Sequence, residues 1–119
     1  MARLVVDSEK DLRLEAPYFA VQGEETVVTV ETEQLTDELT YDAYVDFLTP
    51  DGKAVWRGEF DASIGAFQFT LESDDDIINV DGNLIIQIVF AITNVDGTRD
   101  IKWCSKQCKT KILSSVSAE

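Results

Sequence analysis

Gly65-Ala66-Phe67-Gln68-Phe69-Thr70-Leu71, followed by Gly82-Asn83-Leu84-Ile85-Ile86-Gln87-Ile88-Val89-Phe90, decides how this chain folds. In the first run Phe67, Phe69 and Leu71 point one way and Gln68, Thr70 and Glu72 the other, a period of two that belongs to a strand. The second run stays apolar on both faces as far as Ile92, which hydrophobicity alone would also allow in a helix. Its β-branched content, Gly82 in front and the Asn94-Val95-Asp96-Gly97 turn behind predict a central strand instead. One face of that strand belongs to the core, and the other needs a cover from this chain or another. After the turn come Trp103 and the alternating Cys108-Lys109-Thr110-Lys111-Ile112-Leu113. This order of strands and turns predicts a small β-sandwich.

Working outward, Tyr41-Asp42-Ala43-Tyr44-Val45-Asp46-Phe47-Leu48 alternates most strongly, with Tyr41, Ala43, Val45 and Phe47 on one face. Thr49-Pro50-Asp51-Gly52-Lys53 then predicts a hairpin reversal, since Pro fixes φ and the Asp-Gly pair supplies a positive φ. The partner strand is Ala54 to Phe60, where Trp56, Gly58 and Phe60 oppose Val55, Arg57 and Glu59, and Trp56 is expected in the core. Thr26 to Thr32 is rich in β-branched residues and reads as a strand. Leu12 to Glu15 and Tyr18 to Val21 are separated by Pro17, which predicts an edge strand or a strand break. Four residues fall opposite the inferred core sides of their strands: Tyr44, Leu48, Ile85 and Val89. They are the candidates for partner contact; the alternative is a second buried layer within the domain.

The chain has 119 residues, expected as one domain over 1–119, and 45% of them are apolar, enough for a core without metals or disulfides. Ten Lys and Arg against 23 Asp and Glu leave a net charge of −13, which repels nucleic acid and anionic membranes. Histidine is absent, which removes the usual general base and the commonest transition-metal ligand, so no His-based Ser or Cys triad exists. The start of the chain reaches Asp7 too early for a signal peptide, and no apolar run approaches the ~20 residues of a membrane span. Synthesis as a soluble cytoplasmic product is expected.

Candidate chemistry is sparse. Asp42 and Asp46 would lie roughly 13 Å apart along a strand, beyond the spacing of a glycosidase pair. Glu72-Ser73-Asp74-Asp75-Asp76 precedes Ile77-Ile78 and suits a short helical turn capped by carboxylates; a calcium loop would need a longer turn with a distant acid. Cys104 and Cys108 are expected reduced on one strand face, again roughly 13 Å apart and too far to bridge without a bend. Neither enzymatic activity nor a cofactor or metal is expected. Assembly or binding remains, with Trp56, Trp103 and the tyrosines as a sugar- or protein-binding platform if they are exposed.

Several stretches in order, Tyr18-Phe19-Ala20-Val21-Gln22-Gly23-Glu24-Glu25, Tyr44-Val45-Asp46-Phe47 with Asp51-Gly52, Gly82 to Phe90, and Trp103 with Lys109-Thr110-Lys111-Ile112 and Ser115-Val116, resemble a known family. It is the N-terminal module of upper baseplate proteins of phages and prophages of Gram-positive bacteria. The resemblance spans most of the chain and rests on the order of the motifs. It implies an immunoglobulin-like antiparallel β-sandwich in the virion tail baseplate that docks on the tail hub or other baseplate proteins, forms homo-oligomers, and leads into a fibre or receptor-binding region. The sequence departs from the pattern in stopping just past its last strand, which makes it either a fragment of a longer protein or a stand-alone module.

Overall fold

Two β-sheets of mixed direction enclose an apolar core in the computed structural model, which describes residues 2–7, 11–32, 42–61, 66–96 and 98–114. The strands are β1 (Ala2–Val6), β2 (Leu12–Leu14), β3 (Ala20–Val21), β4 (Thr26–Thr32), β5 (Asp42–Leu48), β6 (Ala54–Asp61), β7 (Ala66–Leu71), β8 (Gly82–Thr93), β9 (Arg99–Cys104) and β10 (Cys108–Leu113). One sheet has the order β2-β1-β4-β7. The other runs β3-β10-β8-β5-β6, with β9 also paired to β8. The all-β class and the two-sheet layering agree with the sequence. The expected antiparallel pattern does not hold throughout, because β1 pairs parallel with β4 and β3 parallel with β10.

Parallel pairs arise because the chain changes sheets early. The segment holding Pro17 leaves the edge strand β2 and arrives at β3 on the edge of the second sheet, in keeping with a proline that removes a ladder donor. On arrival the Phe19 N–H donates to the Lys111 carbonyl at 2.9 Å and the Gln22 N–H to the Leu113 carbonyl at 2.8 Å. The core lies between the sheets. Leu4, Val28, Val30 and Leu71 enter it from one side, and Val45, Phe47, Ile86, Ile88 and Phe90 from the other. Phe19 meets Phe47 edge to face at a centroid distance of 5.7 Å. Val55 is the β6 residue described as packing against this core, where alternation alone had set it on the opposite side from the expected core Trp56. The side chains of Trp56 and Trp103 lie outside the described residues.

Two local predictions hold in detail. The β5–β6 hairpin turns with the Gly52 N–H donating to the Thr49 carbonyl at 2.9 Å and Gly52 at φ +84°. The Thr49 hydroxyl bonds to Asp51 and holds its carboxyl below the usual range. The acidic segment forms one 3₁₀ turn over Asp76–Ile78; Asp75 caps it by accepting from the Ile77 N–H at 3.0 Å. This turn plants Ile77 and Ile78, both fully buried, in the core.

β8 is central, with β5 along one edge and two strands in succession along the other. β10 pairs with residues Gly82 to Ile86 and β9 with Val89 to Thr93. Between them Ser105, only 2% exposed, stands in for a strand. Its N–H donates to the Ile88 carbonyl at 2.8 Å, and its hydroxyl oxygen accepts from the Ile88 N–H at 2.9 Å. Cys104 and Cys108 are thus reduced and lie on two different strands, which corrects the expectation of one strand face. Cys108 packs on the main core, where burial pushes its thiol pKa up, while Cys104 packs on the opposite face of the sheet. Replacing Ser105 by Ala orphans the buried Ile88 N–H, a loss of about 1–3 kcal/mol. A urea midpoint that falls with an unchanged slope is the expected readout, and Ser105→Thr, which keeps the hydroxyl, is expected to lose less.

Candidate docking surface

The register of β5, β8 and β10 arranges the outer face of the larger sheet in rows. Lys109, Ile85 and Leu48 form one row, Gln87 and Asp46 the next, and Cys104, Val89 and Tyr44 the third. Opposite residues on paired strands share a face, so the four partner-contact candidates do lie on one surface.

Their accessibility differs sharply along β8. Tyr44 and Val89 are 3% and 2% exposed and form a small second cluster with Ala91, against which Cys104 packs. Leu48 is 38% exposed and Ile85 is half-buried. The outer face is therefore closed over at the β9 end and open at the β10 end. Leu48 and Ile85 are the accessible members of the set. Sequence alternation places all four on this face, but the cover over Tyr44 and Val89 depends on tertiary packing that no local pattern encodes.

Ile85 borders two depressions. One of about 250 Å³ lies beside Leu48, Asp46 and Gln87. The other, about 620 Å³, runs between Ile85, Lys109 and Lys111 on the sheet and Ala16 and Pro17 of the crossing segment. Lys109 and Lys111 are exposed on its rim. They belong to a basic stretch: Arg99, Lys102, Lys106, Lys109 and Lys111 make up five of the chain's ten basic residues within 99–111, where Asp100 is the one acid. This surface was not foreseen as a basic patch, since the overall charge of −13 conceals it. The basic stretch was nonetheless legible in the sequence of 99–111.

Several other polar side chains among the described residues pair with one another. Arg3 bonds to Glu31 and to Glu15, tying β1 to β4 and to the end of β2 across the outer face of the smaller sheet. The Arg3 hydrogen bond holds the Glu31 carboxyl below its ordinary pKa. Lys53 meets Asp76 at 3.3 Å and Lys106 meets Asp11 at 2.9 Å. Exposed pairs of this kind add little stability in water. Glu72 is pushed the other way, its pKa raised by a hydrogen bond with Glu25. Among the described residues no group of three His, Cys, Asp or Glu is placed to hold a metal. The side chain of Asp42 lies outside the described residues, so its spacing from Asp46 rests on the strand alone. No helix among the described residues is long and apolar enough to cross a membrane.

No protein-family model matches the sequence, and no curated protein matches it either. Among solved structures, the fold is similar to the N-terminal domain of ORF48 of phage TP901-1. The superposition has a TM-score of 0.64 at 10% identity and covers 95% of this chain and 97% of that one. At such identity the likeness is one of fold.

Proposed function

We propose that this chain is a structural module of a phage or prophage tail baseplate, which docks on the tail hub and holds a fibre or receptor-binding region. The observation that carries the reading is the end-to-end fold likeness to a phage protein's N-terminal domain, reached from a different direction than the order of motifs in the sequence. We propose further that the sandwich is immunoglobulin-like, a reading the strand order supports. β10-β8-β5-β6 follows the G-F-C-C′ sheet of a variable-type sandwich, and the β4–β7 pair takes the place of B and E.

The role needs no chemistry from the chain. Docking would use the open end of the larger sheet's outer face, where Leu48 and Ile85 supply apolar area and Lys109 and Lys111 supply charge. A hub surface with an apolar centre and acidic rim is the complement of such a patch, because rim charges steer encounter and the buried centre supplies affinity. Gold labelling of intact virions from the source strain, with an antibody against this chain, tests the proposal by electron microscopy. Gold clustered at the tail tip is expected. Unlabelled particles, with the protein recovered elsewhere in the cell, overturn it and favour a carbohydrate- or protein-binding module.

A further inference from the structure

The groove of about 620 Å³ beside β10 brings together two features that no contact among the described residues uses. One is charge. Arg3, Arg13, Lys53 and Lys106 each meet a carboxylate of the chain. Lys109 and Lys111 meet none among the described residues, in a chain with 23 acids, and they stand two positions apart on the groove's rim. None of the residues lining the groove is acidic.

The other feature is backbone. β3 pairs only with Ile112 and Leu113, so towards Cys108 no strand among the described residues flanks β10 on that side. The carbonyls of Lys111 and Leu113 face that side, where they accept from the N–H groups of Phe19 and Gln22. Residues of an antiparallel strand alternate between bonding to the partner and facing away from it, so Lys109 also turns its N–H and C=O away from β8. They face the groove, whose opposite wall is Ala16 and Pro17 of the crossing segment. No backbone hydrogen bond joins Lys109 to that segment.

We propose that this edge of β10 takes an extended acidic segment of a partner protein, paired through the Lys109 backbone and bearing carboxylates at alternate positions. An added strand places the side chains opposite Lys109 and Lys111 on the same outer face, about 6.6–6.8 Å apart, which is the spacing of the two ammonium stems. The side chain between them falls on the other face, towards Leu14 and Cys108, which pack partly buried against the core. The segment that fits is therefore acidic, apolar, acidic. A lone anion would use the lysines and leave the backbone pair and the rest of the groove empty. The net charge of −13 acts weakly at this range, since five basic residues and Asp100 alone as acid occupy 99–111 and charges beyond about 8 Å are largely screened at about 0.15 M salt.

One backbone pair and two exposed ion pairs make a weak site, with a dissociation constant of about 0.1–1 mM expected. Copies held together in an assembly would bind more tightly without new contacts. The inference deepens the docking role proposed above by naming the kind of segment bound.

Fluorescence anisotropy of a labelled peptide Ser-Thr-Glu-Val-Glu-Thr-Ser, titrated with the whole chain at about 0.15 M salt, is the test. Saturable binding is expected, with at least tenfold loss when both Glu of the peptide become Gln and a similar loss for the chain with Lys109→Gln and Lys111→Gln. Circular dichroism must show that this double variant keeps its fold. If it does not, amide hydrogen exchange of wild type decides, with the Lys109 amide gaining protection only when the acidic peptide is added. Absence of binding, equal binding of the Gln peptide or by the folded variant, displacement of the peptide by equimolar inorganic phosphate, or a Lys109 amide already protected without peptide overturns the proposal. Gold at the tail tip without peptide binding removes this edge and leaves the baseplate role, whereas peptide binding with unlabelled virions leaves the edge and removes that role.

Discussion

Replacing Phe47 by Ala is expected to lower stability by about 3–5 kcal/mol, since truncation of a buried aromatic loses both its transfer free energy and its packing. The ring is 2% exposed, sits on the central face of β5 between Val55 of β6 and Ile86 of β8, and meets Phe19 edge to face. Phe19 follows the crossing between sheets, so the pair fastens that crossing to the larger sheet's inner face. A domain of this size has about 5–15 kcal/mol in total, and the loss is a large part of it. A fall in melting temperature of about 10–25 °C is the expected readout by calorimetry or circular dichroism. Phe47→Leu keeps most of the volume and is expected to cost less than half as much. A loss below about 1 kcal/mol for Phe47→Ala would mean that the ring is not packed as described.

Gly82→Ala is expected to be the second large effect, together about 2–4 kcal/mol from backbone and contact. Gly82 opens β8 at φ +130°, a conformation that residues with a Cβ rarely adopt. A Cβ there would also approach the Pro50 Cβ to 3.0 Å. Gly52 separates the two contributions, because it has φ +84° but no atom within 4 Å of an added Cβ. Gly52→Ala is thus expected to cost only the dihedral part, about 1–2 kcal/mol. Pro50→Gly, which removes that Cβ, should recover the contact part when introduced beside Gly82→Ala, and a denaturant double-mutant cycle measures the coupling. Additive losses in that cycle would show that Pro50 plays no part.

These two residues also show where sequence reasoning works and where it stops. Phe47 was legible because Tyr41 to Leu48 alternates strictly, and Gly52 because Asp-Gly after Pro is a turn with a mechanism. The Asp75 cap was legible for the same reason: its effect is complete within a few residues. Gly82 was visible as a boundary, but not as a neighbour of Pro50, which lies far away in the chain. β1 escaped altogether, since its parallel pairing with β4 joins segments with no turn between them to announce the pair. Ser105 escaped because the short polar run Ser105-Lys106-Gln107 between two cysteines gives no periodic signal, although it separates β9 from β10. The four partner-contact candidates share the outer face that alternation assigns them, and Tyr44 and Val89 are buried there, because alternation reports which way a side chain points and not whether it is covered.

The seat of β10 has a mechanical consequence. Five registered pairs hold it to β8 on one side and two hold it to β3 on the other. Ladder hydrogen bonds lie across the strand direction, so a pull drawn through residue 114 along β10 loads them side by side, in shear, instead of opening them one at a time. A tether attached beyond Leu113 would thus hang from a strand clamped on both of its edges, and the sheet would yield under tension only when the whole row gives way together.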